Sequence, residues 1–323
     1  MKKACLFLMT LTSLFLTACQ KVAINDGEGE ETEDKVTLNF HINQLDNASL
    51  SFYGMSADTQ QQRLSTRSTD ITSLCSRINL AVYQSGTRVS QVNQEAGDKN
   101  FGAPSVSLKP GQYDIVILAH NYASNPTLTD PEKITFGKDL TDIFLWTGNL
   151  DVEKDENRNV SMHRVVAMFR LTTTDTIPSD VAMIRFYYTG GSSSLNAHSG
   201  LGCVNSKQTA SFVIDKSKKG QTASFDVFTI PKAGDDNLLK ITVTAYDASN
   251  NIIVEKNFTD VPVKCNQITH YTGKLFDGGE VGSSDNVGFH LTTDDEWSIV
   301  GKDEAKRFFQ TYESHCRQVE SRR

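Results

Sequence analysis

The sequence predicts an all-β protein built from two β-sandwiches in tandem. Apolar residues alternate with polar ones over many short segments, which is the period of a half-buried strand. Turn-forming residues separate these segments, and no stretch between Val36 and Leu291 shows a sustained helical stripe with caps. The 323 residues exceed what a single hydrophobic core usually serves, so two domains are expected.

The first 18 residues predict a bacterial lipoprotein signal peptide. Lys2 and Lys3 precede an apolar run from Ala4 to Leu16, and the sequence Leu-Thr-Ala-Cys ends at Cys19. The run is shorter than the roughly 20 apolar residues that a membrane-spanning helix needs. We therefore expect cleavage before Cys19 and lipidation of its thiol, by which several acyl chains, palmitate among them, anchor the protein. The alternative is an ordinary cleaved signal in which the cysteine is incidental.

Residues 19–35 are predicted to form an acidic tether between the lipid and the folded body. Six acidic residues and no basic residue lie between Asp26 and Asp34, so the segment repels itself and cannot bury a core. The full chain carries a formal net charge of −7, and loss of the signal peptide makes it more negative. Such a charge argues against binding to nucleic acid or to an anionic lipid surface.

The N-terminal sandwich is predicted over residues 36–152. Alternation begins at Val36–Ile42 and resumes at Ile78–Val82, after a polar loop at 59–70. The dipeptide Ser85-Gly86 predicts a hairpin turn. The segment Tyr113–Leu118 is apolar on both faces, as expected for a strand in the middle of a sandwich.

The C-terminal sandwich is predicted over residues 153–297, after a boundary in the charged segment Asp151–Asn159. Asn250-Asn251 lies between two apolar runs and predicts a second tight hairpin. The alternation at Asn286–Trp297 predicts the last strand of this domain. Residues 298–323 differ from the rest, because their apolar residues have the spacing of a short amphipathic helix. The alternative is that this segment is a poorly ordered tail.

Motifs for catalysis or metal binding are missing from the sequence. None of the seven histidines has a second His or Cys at ligand spacing, and no GxSxG motif occurs. The glycine-rich Thr189–Ser194 lacks the lysine of a phosphate loop and is interpreted as a flexible connection. Four cysteines remain beyond Cys19 (Cys75, Cys203, Cys265 and Cys316), and they allow three pairings that the sequence leaves open. We therefore expect no enzyme, no cofactor and no metal.

Several segments, taken in order, resemble one family. They are INLAVYQSGTRV and LKPGQYDIVILAHN in the first half, and HRVVAMFRL, IRFYYTGGSSSLN, FTIP and CNQITHYTGKLF in the second. The chain resembles lipoproteins of the Bacteroidetes fimbrillin superfamily, specifically the FimB-type fimbrial anchoring subunits, over about Val36 to Trp297. The acidic segment after Cys19 is also similar to the surface-export signals of Bacteroidetes lipoproteins.

The resemblance implies two transthyretin-like sandwiches held at the cell outer membrane, with the body exposed at the surface. It also implies a structural role, in which the protein anchors or caps a fimbria through β-strand contacts with pilin subunits and so supports cell adhesion. The alternative function is that of a surface glycan-binding lipoprotein, although Trp146 and Trp297 are the only tryptophans available for stacking. A secreted hydrolase is a third class, for which no paired carboxylates are found.

Overall fold

The computed structural model describes residues 35–46, 51–52, 71, 74–234, 237–277 and 289–291. Within these residues the regular secondary structure consists of β-strands without an α-helix, which confirms the predicted all-β class. In this part of the chain, accordingly, no helix is long and apolar enough to span a membrane. The predicted signal peptide, the tether up to Asp34, Cys19 and the tail after 297 lie outside the described residues.

The strands of the first half are β1 (Val36–Asp46), β2 (Ser51–Phe52), β3 (Arg77–Gln84), β4 (Thr87–Glu95), β5 (Ser105–Leu108), β6 (Gly111–His120), β7 (Ile134–Thr135), β8 (Ile143–Val152) and β9 (Glu156–Arg164). Those of the second half are β10 (Ala167–Thr173), β11 (Met183–Thr189), β12 (Ser194–Asn196), β13 (Leu201–Gly202), β14 (Gln208–Val213), β15 (Ser224–Thr229), β16 (Leu238–Tyr246), β17 (Ile252–Pro262), β18 (Gln267–Gly273) and β19 (Phe289–Leu291).

The two halves repeat one strand order. In the first half, β5-β1-β9 continues through a short β8–β9 pairing into β4-β3-β6-β8. In the second half, β15-β10-β18 and β14-β11-β16-β17 belong to separate sheets. In each half the first strand pairs in parallel with a strand at the far end of that half, β1 with β9 and β10 with β18. The chain is therefore a tandem repeat of one sandwich topology.

The strand pairing places the change from the first set of sheets to the second between β9 and β10. β9 pairs along β1, and the chain enters the second set of sheets after Val165 and Val166. The boundary predicted after Val152 falls in the turn between β8 and β9, both of which belong to the first seven-stranded sheet. The domain limits themselves remain predictions.

Three buried clusters form the core. The first lies inside the N-terminal sandwich and includes Phe40, Leu80 and Ile117. The second lies inside the C-terminal sandwich, where the rings of Phe169, Phe186, Phe258 and Tyr271 pack edge to face or tilted. The third joins the halves, because apolar residues of β6 and β8 pack with residues of the β12 region. It lies beside a small sheet in which β7 of the first half pairs with β12 of the second.

Both predicted hairpin turns are present. Ser85 and Gly86 have φ of 50° and 77° and connect β3 to β4. Asn250 has a φ of 64° and lies in the turn between β16 and β17. Tight hairpins require positive φ, which Asn and Gly tolerate best, so the residue types at these positions were sufficient to predict both turns.

The glycine-rich segment Thr189–Ser194 is packed tightly, contrary to the prediction of a flexible connection. Gly190 has a φ of 105°, and a Cβ there would lie 2.2 Å from the carbonyl oxygen of Leu238. Gly191 is buried, and a Cβ on it would meet the Thr229 hydroxyl. Glycine serves here for close approach of strands, which sequence alone does not distinguish from flexibility.

Candidate functional site

The residues singled out in the sequence do not assemble into a reactive site. Cys19 and Trp297 lie outside the described residues. Trp146 is partly buried and packs against Phe40 of the first core, with ring centroids 5.7 Å apart, which occupies part of its surface. Cys75 and Cys203 are free thiols, and the Cys265 thiol donates a hydrogen bond to the carbonyl oxygen of Val165 at 3.4 Å. In the described ranges no group of three or more His, Cys, Asp or Glu side chains could hold a metal ion.

Sheet edges are the remaining candidate for binding, because an edge strand carries backbone N–H and C=O groups that another chain can pair with. Most edges here have features that discourage pairing. β5 is four residues long and is bounded by Pro104 and Pro110. β17 has two register shifts and carries charged residues, and β15 carries Asp226 in an ion pair with Arg170. Short strands, bulges, prolines and charges all reduce strand addition.

β14 lacks these features. Its sequence, Gln-Thr-Ala-Ser-Phe-Val, has no charge, proline or glycine, and all six residues pair with β11 without a register shift. Its other side has no strand partner within the described residues. Gln208, Ala210 and Phe212 are more buried, whereas Thr209, Ser211 and Val213 face outward, with Val213 76% exposed.

The backbone direction of β14 follows from one hydrogen bond. Ile214 donates its N–H to the carbonyl oxygen of Ala182, directly opposite it, at 2.9 Å. Neighbouring residues of an antiparallel strand direct their N–H and C=O groups to alternate sides. Thr209, Ser211 and Val213 therefore direct theirs toward the open side. Several ladder hydrogen bonds are available there, each with a net contribution of about 0.5–1.5 kcal/mol.

Packing holds β14 in place. The Phe212 ring lies edge-on to Phe186 and to Phe225, at centroid distances of 5.6 and 5.2 Å. The turn after the strand is closed by Asp215, whose carboxylate accepts hydrogen bonds from Ser217 and from the Lys218 N–H, and these bonds lower the pKa of Asp215. An edge fixed in this way is ordered before a partner arrives, which reduces the entropic cost of binding.

The outward face beside β14 offers contacts for side chains. Thr209 lies opposite Tyr187, a partly exposed aromatic residue of β11. Arg185 is hydrogen-bonded to the Tyr246 hydroxyl, and its guanidinium carbon lies 4.8 Å from the centroid of that ring. A strand added to β14 would thus place alternate side chains next to an apolar residue at Val213 and an aromatic one at Tyr187.

The fold and this edge define a tandem β-sandwich protein with an unprotected edge at β14. Residues 29–319 match the model of the family described as "Family of unknown function (DUF6562)", and the chain belongs to that family. The comparison with curated proteins found no match.

Solved structures of three bacterial proteins align with this chain at low sequence identity. A candidate polysaccharide-binding protein of Bacteroides thetaiotaomicron aligns at a TM-score of 0.47 and 13% identity, over 80% of this chain and 99% of its own. A candidate cell adhesion protein of Bacteroides fragilis aligns at a TM-score of 0.46 and 12% identity, over 83% of this chain and 100% of its own. The fimbrial anchor protein Mfa2 of Porphyromonas gingivalis aligns at a TM-score of 0.41 and 11% identity, over 75% of this chain and 91% of its own. At these scores the similarities establish neither a partner nor an activity for this chain.

Proposed function

We propose that this chain is a structural, non-enzymatic lipoprotein of the outer membrane that anchors or caps a fimbria and so supports cell adhesion. In this proposal Cys19 carries the lipid, the acidic segment Asp26–Asp34 spaces the body from the membrane, and the sandwiches bind pilin subunits. The sequence resemblance to fimbrial anchoring subunits supports the role. The observation that carries it is the unprotected edge of β14, which suits pairing with a strand of a pilin subunit.

A surface glycan-binding lipoprotein is the alternative. Stacking on tryptophan is the expected basis of such binding, and Trp146 is partly buried against the first core. This argues against a broad aromatic platform within the described residues. A polar site for a single sugar is a separate matter, because it does not need that platform.

The test of the strand contact is a proline at Ser211. Proline removes an N–H that points to the open side, so Ser211→Pro preserves the β11 ladder and is tolerated at an edge. Ser211→Ala is the matched control, because it loses the same hydroxyl but keeps the N–H. We expect pilin subunits to co-purify with wild type and with Ser211→Ala from detergent-solubilised outer membranes, and at least about tenfold less with Ser211→Pro.

One result would contradict the β14 contact alone, and another would contradict the fimbrial role as a whole. Equal recovery of pilin with Ser211→Pro and Ser211→Ala, at matched melting temperatures, would rule out β14 as the contact. No pilin recovered with wild type would remove the fimbrial role itself. Lipidation is tested separately: Cys19→Ser should abolish labelling by a clickable fatty acid and release the protein from the membrane fraction, and persistent label would place the lipid elsewhere.

A further inference from the structure

A polar cavity of about 550 Å³ lies between the 137–140 loop and the beginning of β14. Its volume falls within the roughly 300–1,000 Å³ of typical small-molecule sites. Polar side chains line much of it, among them Lys138, Asp139, Ser193, Lys207, Gln208 and Thr209. None of the roles described above uses the side chains of the two lysines or of Gln208.

The walls of the cavity are held rigidly. Leu140 anchors the loop in the cluster that joins the two halves, and Asp139 has a φ of 59°. On the opposite wall the buried Tyr188 donates its hydroxyl hydrogen to the carbonyl oxygen of Phe228 at 2.9 Å. Ser193 is bonded to the hydroxyl of Ser206 through its N–H and its Oγ, each at 2.9 Å. A site with fixed walls is preorganised for a ligand.

Gln208 presents an unmatched donor to this cavity. Its side chain is only 7% exposed, and its Oε1 accepts a hydrogen bond from the Thr229 hydroxyl at 2.7 Å. Its Nε2 makes no hydrogen bond to the described part of the chain. Its Nε2 keeps some solvent-accessible surface, so a ligand or water can accept a hydrogen bond from it. The cavity therefore favours a ligand that carries hydrogen-bond acceptors.

The charges at the rim favour an anionic group on that ligand. Lys138 on the loop and Lys207 directly before β14 both line the cavity and are exposed, and neither ammonium group forms an ion pair with any residue the structure describes. Asp139 is the single carboxylate among the lining residues and can accept hydrogen bonds from hydroxyl groups. Two cations, one unpaired amide donor and several hydroxyls line the cavity together with one carboxylate, which suits a molecule that combines a carboxylate with hydroxyls.

We infer that this cavity binds a sugar that carries a carboxylate, with Lys138 and Lys207 pairing the carboxylate and Gln208 donating to a ring substituent. Asp139 and Thr209 bind the sugar hydroxyls. This site takes a small molecule rather than a strand and is tested without pilin present, although its lining shares Thr209 and Ser211 with the edge of β14. The carboxylate can belong to a uronic acid or to a sialic acid, and the experiment separates the two.

Calorimetric titration of the full chain in detergent tests the inference. D-galacturonic acid carries a carboxylate where D-galactose carries a hydroxymethyl group, and the two sugars are otherwise identical. We therefore expect galactose to bind at least about tenfold more weakly. N-acetylneuraminic acid forms the second arm, and the tighter binder of the two acids identifies the sugar class. The double variant Lys138→Ala/Lys207→Ala should weaken binding of the acid at least about tenfold. The matched control Lys216→Ala/Lys240→Ala removes the same charge from exposed lysines away from the lining and should leave the affinity unchanged.

Three results would overturn the inference. They are no binding of either acid, equal affinity for galacturonic acid and galactose, and equal loss of affinity in the two double variants. The variants replace exposed side chains, so retained melting temperatures would exclude unfolding as the cause of lost binding. Gln208→Leu adds a second measurement, in which the affinity for galactose should fall along with that for the acid, because the amide serves the ring rather than the carboxylate.

Discussion

Lowering the pH should destabilise this protein through His120. This side chain is fully buried at the end of β6. Its Nδ1 accepts the N–H of Tyr122 at 3.0 Å, so in the neutral ring Nε2 carries the proton and donates to Asn79 Oδ1 at 2.8 Å. The Asn79 amide in turn donates to Asn93 and Asn125. A protonated ring could not accept from Tyr122, and the network is therefore built for the neutral form.

The size of the effect follows from the pKa. Burial, with a further contribution from the charge of Arg77, lowers the pKa of His120 from 6.5 to about 4. In the unfolded chain the imidazole binds a proton below about pH 6.5, whereas the folded one resists until about pH 4. Stability is therefore complete above the unfolded pKa and falls as the pH drops toward the folded one. Between about pH 7.5 and about pH 5 the loss from this group is about 2 kcal/mol.

Urea unfolding at the two pH values measures this loss, and a variant isolates the share of His120. His120→Gln keeps a polar side chain that does not titrate, so its stability should fall less with pH by about 2 kcal/mol, although it is less stable overall. His198→Gln is the control, because it replaces an exposed histidine outside this network and should not reproduce the effect of His120→Gln. If His120→Gln loses as much stability between the two pH values as wild type, His120 is not the group responsible.

Three further predictions concern packing and pairing. Gly190→Ala should cost about 3 kcal/mol of unfolding free energy, because the methyl group meets the Leu238 carbonyl at a positive φ; a melting temperature within one degree or so of wild type would contradict the packing. Arg164→Met should cost about 3–5 kcal/mol, because the buried guanidinium pairs with Asp142 at 2.6 and 2.7 Å, and adding Asp142→Leu should restore part of the loss in a double-mutant cycle. Truncation after Gly282 removes β19, the antiparallel partner of β18, and should lower stability by about 1–3 kcal/mol; an unchanged melting curve would exclude that pairing as a stabilising one.

The sequence was informative wherever structure is determined locally. The turns at Ser85-Gly86 and Asn250-Asn251 need positive φ, and the residues present are those that tolerate it. The alternation at Val36–Ile42 matches a strand in which Leu38 and Phe40 are buried and His41 is exposed. A strand was also expected near the end of the second half, and Phe289–Leu291 forms one.

Long-range pairing was not visible in the sequence. β1 pairs in parallel with β9, and the segment between them makes up most of the N-terminal half of the chain. No turn residue or sequence period signals such a contact. The same holds for the Gln208–Thr229 hydrogen bond, which joins side chains from two different sheets. The cavity was missed for this reason. Its lysines come from segments far apart in the chain, and each of them alone has the pattern of an ordinary exposed residue.

The repeated topology provides an internal comparison for the proposed contact. β4 and β14 occupy the same position, at the free end of the four-strand order in each half. β4 has a register shift at Val89 and carries Arg88 and Glu95, which discourage strand addition. β14 has the same surroundings in the topology but neither a shift nor a charge. Because the strand order is the same, the difference lies in the bulge and the charged side chains of β4. An edge that is free of both in one half and protected in the other is consistent with a partner that binds the C-terminal sandwich.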